Sequence, residues 1–240
     1  MFDWLANPNR FKRITNRLEP FLIVISVILI TLGLYFGLFD SPKDYQQGDA
    51  VRIMYVHVPS AWLASLLFLS LAISCVFYLA WKHPLADIIS SSIAPIGAMF
   101  SLLTLITGSL WGKPMWGTWW VWDARLTSVL ILFLLYLGYM VLYNAFDDRS
   151  RGARAAAILS IVGVINVPII KFSVDWWNTL HQPASVIKMD GPAIHSSMLT
   201  PLILMAGGYT SLFIWILLIR ARAELNLQKV HALKIRQAKV

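Results

Sequence analysis

Six apolar runs, each long enough to cross a lipid bilayer as a helix, dominate this sequence. A transmembrane helix needs about 20 mainly apolar residues. Only 13% of the 240 residues are charged, which is roughly half the fraction usual in a soluble domain. We therefore predict an all-α, polytopic membrane helix bundle that forms a single domain over residues 1–240. The predicted spans cover about residues 21–39, 59–81, 88–110, 126–145, 155–170 and 198–219.

The ends of three spans carry residues that suggest how the helices begin and end. Pro59 fits the first turn of a helix, so we expect the second helix to begin there, with His57 just outside it. Asp123 stands where the N-cap of the fourth helix is expected. After residue 219, the basic tail could form an amphipathic surface helix. A solvated segment lying along the membrane is the favoured interpretation.

The distribution of basic residues predicts the orientation of the bundle. With six spans, both termini lie on one side, and 14 of the 20 Lys and Arg fall there against 6 on the other side. Cytoplasmic segments of membrane proteins carry an excess of Lys and Arg. We therefore predict cytoplasmic termini. The net charge of +8 does not indicate nucleic-acid binding, because the basic residues gather in short loops and at the termini, where they favour contact with membrane lipid.

The cysteine count and one missing motif exclude several kinds of site. Cys75 is the only cysteine and lies inside an apolar run. The chain therefore cannot form an internal disulfide, a zinc site of several cysteines or a C-x-x-C-H haem attachment. It also contains no Walker A motif, so it does not hydrolyse ATP by that route.

A tryptophan-rich segment, residues 111–123, joins the third and fourth predicted spans on the outer side. Its glycines and proline predict an irregular conformation, and its two charged residues would cost about 5–7 kcal/mol inside a bilayer. Wide, rigid indoles suit a large planar apolar ligand. The alternative is a loop that only anchors the chain at the membrane interface. The tryptophans are Trp111, Trp116, Trp119, Trp120 and Trp122.

Three of the five histidines lie on the same outer side: His57, His181 and His195. Imidazole is a good ligand for haem iron, and two imidazoles could clamp a macrocycle from opposite faces. A histidine near a helix start is otherwise a polar cap or a surface residue, and Asp123 could be a plain N-cap. Basic residues that could pair with haem propionates are Arg52, Lys113 and Arg125.

Three motifs resemble those of a known family. The segment from Trp111 through Trp-Trp-Val-Trp-Asp123 to Ser128 resembles the tryptophan-rich "WWD" signature of the haem-handling proteins of cytochrome c biogenesis. Val56-His57-Val-Pro59 and Trp176-Trp177-Asn-Thr-Leu-His181-Gln182 resemble the two histidine motifs that flank this signature. Six spans and a short chain point to the haem exporter C branch of these proteins.

This resemblance implies a non-enzymatic protein of the bacterial inner membrane. Such a protein binds haem b at the periplasmic face and presents it to a membrane-anchored periplasmic haem chaperone. The implied axial ligands are His57 and His181, and the implied platform is the segment 111–123. No family motif covers His195. Further implied partners are an ABC-type ATPase with its membrane subunit and a small single-span subunit.

Two other functions remain as alternatives. A haem-bearing electron-transfer protein would place histidine pairs inside the spans near the middle of the bilayer, and the predicted spans contain no such pair. A metal or solute transporter would carry ionisable residues along a path through the bilayer. The predicted spans contain almost none.

Overall fold

The computed structural model describes residues 8–182, 186 and 191–237. Within these residues all the secondary-structure elements longer than a single bridge are helices. The single β-bridge in the described chain, Asp44 with Gly48, belongs to a tight turn. The described residues form seven α-helices: α1 (Pro8–Tyr35), α2 (Met54–Trp81), α3 (Pro84–Trp116), α4 (Ala124–Asn144), α5 (Arg149–Gly163), α6 (Asn166–Trp176) and α7 (Ser196–Gln237). A π-helical turn, Phe36–Asp40, extends α1, and a 3₁₀ turn, Asp49–Ile53, precedes α2.

Six helical segments of the described chain are long and apolar enough to cross a membrane, which confirms the predicted all-α fold with six spans. Five predicted spans lie within one of these segments, and the fourth, 126–145, extends one residue beyond its segment. We call the end of the bundle near residues 111–123 the Trp end, and the end at which α1 begins and α7 finishes the terminal end. The segments are Arg10–Asp40, Asp49–Trp81, Leu85–Trp116, Ala124–Asn144, Arg149–Trp176 and Ser196–Val230.

The second helix begins earlier than Pro59, so the prediction that His57 lies outside it is wrong. The 3₁₀ turn runs directly into α2 at Met54, and His57 occupies the first turn of α2. Proline removes only one backbone hydrogen bond, and hydroxyl side chains can satisfy carbonyl groups around it. The Ser60 hydroxyl donates to the Val56 carbonyl at 2.6 Å. His57 is therefore held by a rigid helix.

The third helix also continues further than predicted, because Gly112 and Pro114 do not interrupt it. It ends at Trp116, where Gly117 takes a left-handed conformation (φ +75°) and its N–H donates to the Lys113 carbonyl. Such a glycine is a common helix terminator. Gly112 has a packing role, since a methyl group there would lie 3.0 Å from the Trp116 ring. Only residues 117–123 are irregular, and Trp111 and Trp116 are helical.

The fifth span is divided into α5 and α6 by a turn at Val164 and Ile165. Pro168 explains the break, because its ring clashes with the carbonyl four residues earlier, at Val164, and it has no N–H to donate. Asn166 holds the break in place: its buried side-chain amide donates to the Ser128 carbonyl at 2.8 Å. The direction of α6 is therefore set by α4.

The basic tail continues α7 as a helix to Gln237, and its position along the membrane stays a prediction. Residues 220–237 contain no glycine or proline and are rich in good helix formers. The tail also packs on the beginning of α1: Arg222 forms an ion pair with Glu19 at 2.5 Å, and Leu225 and Phe11 pack against a small apolar cluster around Ala221.

A charged network ties four helices together at the terminal end. Arg149 contacts Glu224 at 2.6 Å and Asp87 at 3.5 Å, and Tyr143 donates its hydroxyl hydrogen to the Asp87 carboxylate at about 3.0 Å. These residues lie on α5, α7, α3 and α4. Because charges joined in a network are better fixed than an isolated surface pair, this network holds the helix ends in register.

Candidate functional site

The predicted site residues converge at the Trp end, from helices that are distant in sequence. His57 comes from the first turn of α2, and Trp111 and Trp116 come from the last two turns of α3. Asp123 begins α4, and His181 lies in the segment after α6. Both histidines contact the last turns of α3, His57 at Trp111 and His181 at Trp116.

His57 is oriented by Thr107, a residue of α3 that the sequence analysis did not single out. The Nδ1 atom of His57 lies 3.0 Å from the Thr107 hydroxyl oxygen, and that hydroxyl donates its own hydrogen to the Leu103 carbonyl at 2.7 Å. The oxygen can therefore only accept from His57, which places the proton on Nδ1 and leaves a lone pair on Nε2. Gly108 permits this approach, since a methyl group there would lie 3.1 Å from His57 Cε1.

His181 is oriented in the same way by Asp123. Its Nδ1 atom lies 3.1 Å from Asp123 Oδ2, and the two side chains are only 20% and 6% exposed. A carboxylate accepts hydrogen bonds, so Nδ1–H donates and Nε2 keeps its lone pair. The other carboxylate oxygen accepts from the Leu126 N–H at 2.7 Å, which confirms the predicted N-cap. Asp123 thus caps a helix and orients a histidine at the same time.

Burial keeps His181 in the neutral form that can bind a metal. Desolvation lowers the pKa of His181 below its ordinary value, the Asp123 carboxylate opposes this shift, and the Arg125 guanidinium adds to it. A neutral imidazole binds iron through its free nitrogen, and a hydrogen bond from its other nitrogen fixes the ring. In each histidine the partner within the chain is bonded at Nδ1, so Nε2 is the nitrogen left to bind a metal. The chemistry of this donor pair fits haem iron.

The five tryptophans divide into an exposed pair and a supporting set. Trp119 and Trp122 are 55% and 75% exposed, which leaves their faces free for a ligand. Trp120 is half-buried and packs edge-on against Trp122, with ring centroids 5.4 Å apart. The Lys113 ammonium lies 5.8 Å from the centroid of the Trp119 ring, a cation–π contact that fixes this indole.

Trp111 and Trp116 pack against the two histidines. The ring of Trp111 meets His57 edge-on at 5.6 Å, and Trp116 meets His181 edge-on at 4.9 Å. The indole N–H of Trp111 donates to the Gln47 side-chain oxygen at 2.9 Å, which ties the loop between α1 and α2 to the site. These two tryptophans therefore buttress the imidazoles.

The predicted basic residues are partly engaged within the chain. Arg125 donates to the Ser173 hydroxyl at 3.0 Å and to the Lys171 carbonyl at 3.3 Å, which braces α4 against α6. Arg52 lies beside Asp49 at 3.2 Å. His195 is exposed and bonds to Ser197 at the start of α7. The described chain contains no group of three or more His, Cys, Asp or Glu side chains arranged as a metal site.

Comparison with known proteins then decides the family. The sequence model of the family described as "Heme exporter protein C" matches residues 1–236. The chain belongs to the heme exporter protein C family. It is 55% identical over 234 residues to a heme exporter protein C of Bradyrhizobium diazoefficiens, an alignment that covers 98% of this chain and 89% of the relative.

Two further relatives agree with this assignment. A heme exporter protein C of Haemophilus influenzae is 51% identical over 228 residues, with 94% of this chain and 93% of the relative covered. The heme exporter protein C of Escherichia coli K12 is 47% identical over 195 residues, with 81% and 80% covered. The resemblance predicted from the tryptophan and histidine motifs is confirmed. The chain is therefore a haem transport component of cytochrome c biogenesis, and it has several helices able to span a membrane.

Proposed function

We propose that this protein binds haem b at the periplasmic face of the bacterial inner membrane and hands it to a membrane-anchored periplasmic haem chaperone. The observation that carries the proposal is the pair of imidazoles at the Trp end. His57 and His181 each have Nδ1 bonded to a partner within the chain, which leaves Nε2 as the nitrogen to bind iron. This arrangement suits axial ligation of iron from two sides.

The exposed indoles support transfer of the bound haem. Trp119 and Trp122 offer flat apolar faces at the surface of the Trp end, where a macrocycle would be accessible to a second protein. Arg125 and Lys113 supply positive charge for the propionates. The protein contributes binding and orientation, and no residue is assigned a catalytic role. Haem is cargo here, with an ABC-type ATPase, its membrane subunit and a small single-span subunit as the expected partners in the membrane.

Haem content and transfer test this function directly. We expect the purified protein in detergent to show the visible spectrum of a bis-imidazole haem. On mixing with the haem-free chaperone, we expect haem to leave this protein and to become covalently attached to the chaperone. If the protein keeps its haem in the presence of the chaperone, and the haem only undergoes reduction and reoxidation, the electron-transfer function would be favoured instead.

The orientation of the bundle can be tested with reporters fused along the chain. The excess of Lys and Arg on the side of the termini predicts that a reporter fused after Lys188 reports a periplasmic location. Lys188 lies outside the described residues. A reporter after Val240, also outside them, is expected to read cytoplasmic. A fusion after Asp147, between α4 and α5, is the matched internal control and should also read cytoplasmic. A cytoplasmic signal at Lys188 would place the site on the wrong side for the proposed function.

A further inference from the structure

The two imidazoles have the same tautomer but different partners. His181 donates to a carboxylate, Asp123, and His57 donates to a hydroxyl, Thr107. A hydrogen bond to an ionised acceptor is roughly twice as strong as one to a neutral acceptor. The Thr107 oxygen carries no charge, and its own hydrogen is held by the Leu103 carbonyl, so it orients His57 without attracting the Nδ1 proton strongly.

The surroundings of Asp123 strengthen this difference. Its side chain is only 6% exposed, and its second oxygen is held by the Leu126 N–H at 2.7 Å. An ionic hydrogen bond is stronger where water is excluded. A metal-bound imidazole that donates to such a carboxylate gains electron density and becomes a stronger ligand. His57 receives no comparable help from Thr107.

We propose that His181 is the retained axial ligand of the bound haem and that His57, positioned by Thr107, is the exchangeable one. This inference rests on the proposed function. During exchange, the bond between iron and His57 Nε2 breaks, an incoming ligand donates its electron pair to the iron, and no electron is transferred. An acceptor protein would therefore approach the iron from the His57 side, while His181 keeps the haem in place.

Carbon monoxide bound to the reduced protein tests which imidazole remains on the iron. The Fe–C stretching frequency of the complex responds to the ligand opposite the carbon monoxide, and a weaker donor there raises it. We expect Asp123→Asn to raise this frequency, because the amide removes the charge near His181. Asparagine is also a good N-cap, so α4 should be unaffected. Thr107→Val should leave the frequency unchanged.

The rate of carbon monoxide binding gives the second readout. Loss of an outer partner typically weakens metal ligation by about 10- to 100-fold. Because the Thr107 hydroxyl is neutral, Thr107→Val should speed displacement of His57 by about tenfold, the lower end of that range. Thr107→Ser retains the hydroxyl and is the matched control, expected to behave as the unchanged protein. The melting temperature of each variant checks that the bundle is intact.

Several results would overturn the inference. A raised Fe–C frequency in Thr107→Val with none in Asp123→Asn would make His57 the retained ligand. Equal shifts in both variants would mean that neither imidazole is preferred. These outcomes leave the proposed function intact, because the haem is still bound between two imidazoles. Absence of a bis-imidazole spectrum in the unchanged protein would contradict the proposed function, and the inference with it.

Discussion

Replacing both His57 and His181 with alanine is expected to abolish stable haem retention. Each imidazole is locked in the tautomer that presents Nε2, and the described site offers no other pair of nitrogen ligands so arranged. Each single change should leave some haem with altered Soret and reduced-state bands, with the greater loss in His181→Ala. The measurement is haem per protein and the visible spectrum after purification in detergent.

The control for this experiment is His195→Ala. His195 is predicted to lie on the same outer side, but it is exposed and bonded to Ser197 at the start of α7, so we expect haem content to stay unchanged. Because the two site histidines lie in contact with Trp111 and Trp116, the melting temperature of the double variant should be compared with that of the unchanged protein. A double variant that keeps a normal spectrum would remove axial ligation by these residues.

Replacing Trp119 and Trp122 with alanine is expected to weaken haem binding without changing its spectrum. These indoles provide contact area and no bond to iron. A large aromatic contact is worth about 1–3 kcal/mol when a ligand covers it fully, which corresponds to about 5- to 150-fold in affinity for each residue. Any haem retained should still be bis-imidazole. Haem per protein and covalent haem on the chaperone should be measured in the same membranes.

Trp81→Ala provides a matched control for the tryptophan pair. Trp81 is 66% exposed, similar to the two site indoles, but ends α2 at the terminal end of the bundle. We expect this variant to bind and deliver haem normally. If the Trp119 and Trp122 variant also does so, the segment is an interface anchor, which is the alternative interpretation of its composition.

The spans and the capping residue could be predicted from sequence because their signals are local. Hydropathy over about 20 residues identifies a membrane helix, and an aspartate before an apolar run identifies an N-cap. The proline and glycine signals were less reliable. Pro59 and Pro114 remain inside helices, since one lost hydrogen bond is tolerated in a membrane helix, whereas Pro168 does divide a span.

The partners of the two histidines could not be predicted, because packing selects them. Thr107 is 50 residues from His57, and Asp123 is 58 residues from His181. Hydroxyl residues recur along α3, and nothing in the sequence distinguishes Thr107 from Thr104. Gln47 is one of several polar residues in its loop, and its bond to Trp111 depends on how that loop folds over α3. These contacts require the assembled bundle.

The site is built from two helix pairs, which we call its jaws, and each pair is braced by hydrogen bonds of its own. One jaw is α2 with α3, joined by the contact of His57 with Thr107. The other is α4 with α6, joined by Asn166 to the Ser128 carbonyl and by Arg125 to Ser173, and it carries Asp123 with His181. A small shift of one jaw against the other would change the span between the two imidazole nitrogens without disturbing either tautomer. The bonds that set each tautomer lie within one jaw, whereas the contact of Trp116 with His181 at 4.9 Å joins the two jaws.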